Sequence, residues 1–265
     1  TILAKTFDAD MAEEVQKHFR ERGVELVLGH RADAILGGEW ARAVSAGGME
    51  IPADLVINAT GVRPNVGLAK EPGIEIGVTG GIKTNRRMET SVKGVYAAGD
   101  CAETTNPITH SPALPLLGAT AVRQGRVAGV NAAGGYSTYP GALFSVVSQM
   151  FDFEVGATGL TESWAREYGL DIIVGKVRGH TRAPYYPGAK PIVVKILLER
   201  ESKHIVGGQI IGGEEVTQRI NALSLAIQKN MCWYELVKAD TCYAPSVCEA
   251  SEPIVMAAEM ASRKF

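Results

Sequence analysis

The stretch from Thr90 to Gly134 constrains this 265-residue chain more than any other. Its first part, Gly94-Val95-Tyr96-Ala97-Ala98, reads as a strand that ends in Gly99-Asp100. Two small residues, Cys101 and Ala102, follow the turn, so another backbone or a ligand can approach closely there. After a polar connection, Leu116 to Ala133 reads as a helix stopped by Gly134, with Ala119, Val122, Val127 and Val130 on or near one face. An acid at a strand end beside a helix N-terminus is a nucleotide constellation. The carboxylate can accept a ribose or ribityl hydroxyl, and the helix end offers free N–H groups to an electron-rich oxygen. Taken alone, Gly-Asp after a strand is a weak signal, and a plain turn is its commoner explanation.

Three segments taken together carry more weight. They are Thr90-Ser-Val-Lys-Gly-Val-Tyr-Ala-Ala-Gly-Asp100, the upstream Ala59-Thr-Gly-Val-Arg-Pro-Asn65, and the downstream Arg123-Gln-Gly-Arg126. With them the chain resembles the flavin-dependent pyridine nucleotide-disulfide oxidoreductases over nearly its whole length, and within them the NADH oxidase and coenzyme A disulfide reductase group. In that family T-x6-A-x-G-D is the second FAD fingerprint and A-T-G marks the return from the NAD domain. The resemblance implies that Gly99, Asp100 and Ala102 contact FAD. It also implies that Leu116, Leu117, Gly118, Ala119 and Thr120 bring the next helix N-terminus to the pyrimidine edge of the flavin. Arg63 is expected at the surface or between domains.

Composition narrows the remaining possibilities. With 46% hydrophobic residues and 30 glycines the chain can bury a substantial core and divides into two domains or more. A net charge of −2 gives no basic face for nucleic acid or an anionic membrane. No apolar run reaches the ~18 residues of a spanning helix. Four cysteines are too few for a disulfide framework, which favours a reducing, cytoplasmic setting. No G-x-G-x-x-G occurs, although the family carries two, and no initiator Met opens the chain. The expectation is therefore the C-terminal portion of a longer flavoenzyme, inactive by itself.

In chain order, Asp8 or Asp10 is expected to cap a helix through about Arg22, with Met11, Val15 and Phe19 on one face. Val24 to Leu28 alternates like a strand, Arg31 to Ile51 reads as short strands, and Asp54 to Ala59 reads as a buried parallel strand. Gly81 to Thr84 is a short strand, and Gly134 to Gly141 a Gly- and Tyr-rich linker. Beyond it, strands are expected at 143–147, 155–159, 171–177, 191–198 and 204–211, and helices at 161–168, 214–230 and 254–263. The fold class is thus a partial FAD/NAD(P)-type α/β region followed by an α+β dimerisation domain, an antiparallel sheet with helices on one side. The expected divisions are 1–66 for the tail of the NAD(P) domain, 67–137 for the tail of the FAD domain and 138–265 for dimerisation.

Cys101 suits close packing beside the turn, and Cys232 suits a core position. Cys242 and Cys248 are spaced wrongly for tight zinc pairing, and no His stands near, so no metal is expected. They are open to packing or to service as a second dithiol. Tyr185 and Tyr243 lie in Pro-containing segments, His180 to Gly188 and Thr241 to Pro245, that resemble motifs of coenzyme A disulfide reductases. There such tyrosines reach the partner's active site, so both become the catalytic candidates; filling an interface is the plainer role for paired Tyr and Pro. The last histidine is His204, so the C-terminal His-Glu pair of glutathione and lipoamide reductases is missing. The resemblance then implies a homodimeric FAD enzyme that takes hydride from NAD(P)H and passes electrons through a cysteine centre to oxygen or a small disulfide. The alternatives are a reductase for a small iron protein and, for this chain alone, a non-catalytic dimerisation module.

Overall fold

A computed structural model describes residues 1–265. The first helix, α1 (Ala9–Glu21), is followed by a meander of β1 (Ala32–Gly37), β2 (Ala41–Ala46) and β3 (Met49–Pro52). Asp8 occupies the N-cap position of α1, as expected, but its side chain makes no cap bond there and turns to the start of α4, accepting from the Glu162 N–H at 2.9 Å. The short α2 (Gly67–Lys70) leads to β4 (Ile82–Lys83), β5 (Ala102–Thr105) and β6 (Pro112–Ala113), which form a second small sheet in which β4 and β5 run parallel. Then come α3 (Gly118–Ala132), β7 (Val146–Met150), β8 (Phe153–Gly159), α4 (Glu162–Glu167), β9 (Ile172–His180), β10 (Pro191–Glu199) and β11 (Ile205–Gly212). Three helices close the chain, α5 (Val216–Gln228), α6 (Trp233–Val237) and α7 (Pro253–Ser262).

The C-terminal part is built on a five-stranded antiparallel sheet ordered β7-β8-β11-β10-β9. Strand β10 explains its own apolar sequence. Ile192, Val194, Ile196 and Leu198 face one way, into a core with Leu223 and Ile227 of α5 and Ala257, Ala258 and Ala261 of α7. Val193 faces the other way and packs with Met11 and Val15 of α1, while Leu197 joins Leu160 and Ala165. Helices therefore cover both faces, whereas the sequence pattern led to one. The missing cover is supplied by α1, which is far away in sequence. At Gly175 of β9 a Cβ would stand 1.9 Å from the Ala257 carbonyl oxygen, so glycine is what lets α7 lie this close.

Four expectations fail in the N-terminal half. Val24 to Leu28 forms no strand. Nor does Asp54 to Ala59, where Leu55 is 79% and Ile57 82% exposed. No neighbouring strand is available to either segment, and an apolar run without a ladder partner stays extended and wet. The strand expected at 94–98 reduces to one bridge, Glu89 to Tyr96, and the paired strand begins at Ala102 instead. Helix α3 buries Thr120, Gln124, Val127 and Asn131, while Val122 and Val130 are exposed. Two of its buried polar side chains, Gln124 and Asn131, have backbone partners, which apolar periodicity does not register.

Candidate functional site

Gly99 and Asp100 form the turn between the Tyr96 bridge and β5. Gly99 has φ +87°, a left-handed conformation that glycine adopts without strain. The turn is docked on α3: the Gly99 N–H donates to Gln124 Oε1 at 2.8 Å, and a Cβ at Gly99 would stand 3.5 Å from the Ala121 side chain. Gln124 is fully buried, and its Nε2 has no partner. Sequence reasoning passed over Gln124, although it lies in the Arg123-Gln-Gly-Arg126 segment that carried the resemblance. Asp100 is exposed and its carboxylate makes no hydrogen bond within the chain. Ala102 is fully buried in β5. The adjacent Cys101 is half-buried, its thiol directed at the Ala98 carbonyl oxygen at 3.5 Å, a packing role as expected.

The start of α3 stands open beside this turn. Leu117 is the N-cap residue and supplies no side-chain cap, and Leu116 before it has φ +53°. Gly118 and Ala119 are exposed, whereas Thr120 is buried. Leu116 and Leu117 line a cavity of about 560 Å³ with Thr79, Phe144 and Trp164. Ala119 and Thr120 line another of about 410 Å³ with Arg123 and Tyr139, whose phenol burial pushes above its usual range. The loop before β4 is pinned by Glu103, a buried carboxylate accepting from the Thr79 N–H at 2.8 Å and its hydroxyl at 2.6 Å. This donor set fits the flavin nucleotide implied by the sequence resemblance: an unpaired carboxylate for hydroxyls, an uncapped helix end for an electron-rich oxygen, and an orphan buried amide N–H.

Tyr185 and Tyr243 meet on the C-terminal sheet, at a separate place. Tyr185 is 76% exposed at the tip of the β9–β10 hairpin, and Tyr243 is 54% exposed in the loop between α6 and α7. Desolvation first, and then the Tyr185 hydroxyl beside it, hold the Tyr243 phenol above its ordinary range, so it stays a neutral donor at pH 7. Arg182 ties the two loops together. Its guanidinium donates to the Ser246 carbonyl at 3.2 Å and pairs with Glu214, which also accepts from Thr181 Oγ1 at 3.0 Å. No hydrogen bond or ion pair joins this pair of loops to the Asp100 turn. Cys232 is a half-buried N-cap of α6 and not a core residue; Glu235 accepts from its N–H at 2.7 Å. Arg63 is exposed, as expected.

The third cluster was not foreseen. Lys195, in the middle of β10, is 1% exposed. Its ammonium stands 3.0 Å from Asp8, 2.7 Å from Asp10 and 2.5 Å from Glu162. Burial works to lower its pKa, but the three carboxylates win and hold it raised; Asp10 is lowered in turn by Lys176 and Lys195, against its own desolvation. The three carboxylates could enclose an ion by their spacing, but the lysine already fills that place. The signal in the sequence was one lysine inside the apolar run Pro191 to Leu198.

An antiparallel sheet domain follows a glycine-acid turn docked on a helix, an arrangement whose donors fit a nucleotide. The family model for the pyridine nucleotide-disulphide oxidoreductases matches residues 1–125, and the model for their dimerisation domain matches 147–254. The chain belongs to this family. It is 43% identical, over all of its length, to an NADH oxidase of Methanocaldococcus jannaschii, and 37% identical over 98% of its length to the CoA-dependent NAD(P)H sulfur oxidoreductase of Pyrococcus furiosus. It spans 58% of each of these proteins. A solved NAD-dependent persulfide reductase from A. fulgidus superposes with a TM-score of 0.95 at 37% identity, over 98% of this chain and 49% of that one. No helix is long and apolar enough to cross a membrane.

Proposed function

We propose that this chain is the part of a homodimeric FAD-dependent NAD(P)H oxidoreductase that completes the flavin site and lends two tyrosines to its partner's active site. The observation that carries this is the Gly99–Asp100 turn docked through Gln124 against an uncapped α3 N-terminus. Bound FAD would supply two-electron transfer between the nicotinamide and a cysteine centre. Asp100 would accept a ribityl or ribose hydroxyl, and Ala102, fully buried in β5, would support the turn from beneath without touching the cofactor. The N–H groups of Gly118, Ala119 and Thr120 would stabilise negative charge at the flavin's pyrimidine edge by ~0.3–2 kcal/mol. Leu116 and Leu117 would keep water from it.

The domain order within the sequence, with division near residues 66 and 137, belongs to the same reading, as does a cytoplasmic location. The terminal acceptor would be oxygen or a sulfur–sulfur bond, in line with the sulfur and persulfide reductases among the relatives. Tyr185 and Tyr243 would donate hydrogen bonds to a thiolate or a peroxide oxygen without carrying charge themselves. The test is flavin content and acceptor preference in the purified longer enzyme of which this chain is a part. It should be yellow, consume NADH or NADPH, and prefer coenzyme A disulfide, polysulfide or oxygen over ferric proteins. A colourless enzyme, or one that needs an iron protein as acceptor, would overturn the proposal.

A further inference from the structure

Cys242 and Cys248 were left without a role above, and the fold sets them against each other. The Cys248 sulfur donates to the Cys242 carbonyl oxygen at 3.3 Å. That oxygen is two bonds from the Cys242 Cα, one of about 1.2 Å and one of about 1.5 Å, so the Cys248 sulfur lies within about 6 Å of that carbon. A disulfide needs Cα atoms roughly 4.4–6.8 Å apart, and the Ala244–Cys248 bridge folds the loop back so that Cys248 lies against the backbone two residues from Cys242. The backbone permits it. Cys242 lies outside any helix or strand; the turn after it is closed by the Val247 and Cys248 N–H groups donating to the Ala244 carbonyl, each at 2.9 Å, and is held from the neighbouring loop by Arg182 donating to the Ser246 carbonyl at 3.2 Å. The two sulfurs also differ in access, Cys242 being exposed and Cys248 half-buried.

We infer that Cys242 and Cys248 form a reversible dithiol–disulfide site, oxidised by low-molecular-weight disulfides, on the loop that carries Tyr243. The exposed Cys242 thiolate attacks one sulfur of the small disulfide. A mixed disulfide forms, and one small thiol leaves with the proton given up by Cys242. The Cys248 sulfur then attacks Cys242, the internal S–S bond forms, and the second small thiol leaves with the Cys248 proton. Two protein thiols are oxidised and one small disulfide is reduced to two thiols. The chemistry needs nothing from a flavin. Its product is a small ring containing Tyr243, which partial exposure keeps open to reduction. The Tyr243 phenol already senses the Cys248 thiol, among the smaller influences that raise it.

Trypsin makes the test direct, because residues 239–263 form a single peptide holding both cysteines and no internal Lys or Arg. The native protein is treated with glutathione disulfide, denatured, alkylated with iodoacetamide and digested. The expected peptide is two hydrogens lighter than the dithiol and unalkylated, and it gains two alkyl groups after dithiothreitol. In Cys248→Ser the first step stalls, leaving a glutathione adduct on Cys242. In Cys242→Ser no cross-link forms. In the wild type the link should form at least several-fold faster in native protein than in urea. Doubly alkylated peptide, separate glutathione adducts without a link, or linkage to Cys101 or Cys232 overturns the assignment. So does an equal rate in urea, which would mean that chain proximity alone makes the bond.

Discussion

Replacing Lys195 with Met keeps the volume of a buried side chain and removes the cation that three carboxylates share. The loss falls unequally on them. Asp10 keeps Lys176 at 2.8 Å, and Glu162 keeps Arg166 at 2.8 Å. Asp8, with 8% of its side chain exposed, has no other cation and retains only the Glu162 N–H at 2.9 Å and Gln209 Nε2 at 2.7 Å. Stranding one partner of a buried pair costs about 3–5 kcal/mol, and those two remaining bonds place this site near the low end, about 3 kcal/mol at pH 7.5. The sign with pH follows. A carboxylate left buried without its cation is relieved by protonation, so the penalty shrinks as pH falls. The wild type goes the other way. Asp10 is lowered in the fold, so its contribution is present above its unfolded value of about 3.9 and is lost as pH falls through the folded one. The two curves should converge in acid. Urea unfolding followed by tryptophan fluorescence measures this, since Trp164 shares α4 with Glu162. Adding Asp8→Asn to Lys195→Met should recover about half of the loss. A difference below about 1 kcal/mol at pH 7.5, the range of exposed pairs, or one that does not narrow towards pH 4, would refute the reasoning.

Asp100→Asn should weaken FAD retention, read by flavin absorbance after desalting, while leaving the melting of the apoprotein unchanged, because the carboxylate has no partner in the chain. Tyr243→Phe should slow turnover by about ten- to hundredfold if its bond forms mainly in the transition state. In a mixed dimer, a subunit carrying Tyr243→Phe but a working redox cysteine should run at full rate against a partner with Tyr243 intact; a rate as low as in the doubly substituted dimer would place Tyr243 in cis. Gly175→Ala should destabilise by about 1–3 kcal/mol, seen as a lower melting temperature, because the methyl group meets the α7 backbone.

The C-terminal sheet was legible because its strands announce themselves. Pro191 to Leu198 and His204 to Ile211 are apolar runs broken only by a few polar residues such as Lys195 and Gln209, and the helix expected at 161–168 forms as α4, with Thr161 accepting from the Trp164 N–H. What the pattern could not give was the partner on each face, which is a matter of distant chain: α1 covers residues that nothing local connects to it. The site was half legible. The Gly99-Asp100 turn and the start of α3 carry residue types that few other roles require in that order. Gln124 and Lys195 escaped notice for a shared reason. A buried polar group is justified by its partners, and the partners of these two lie 25 and up to 187 residues away. The same limit applies to Leu55 and Ile57, where the apolar run was read correctly as composition but wrongly as a buried strand.

The joining of α1 to β10 also sets an order of events during synthesis. The Lys195–Asp10 bond spans 185 residues. At about 5–20 residues per second, Met11, Val15 and Phe19 emerge from the ribosome roughly 10–40 s before the strand that covers them. For that interval α1 is an amphipathic segment with an uncovered apolar stripe and two acids awaiting a lysine. A nascent chain arrested before Val193 should therefore hold α1 in a protease-sensitive state, and one arrested after β11 has cleared the exit tunnel should protect it.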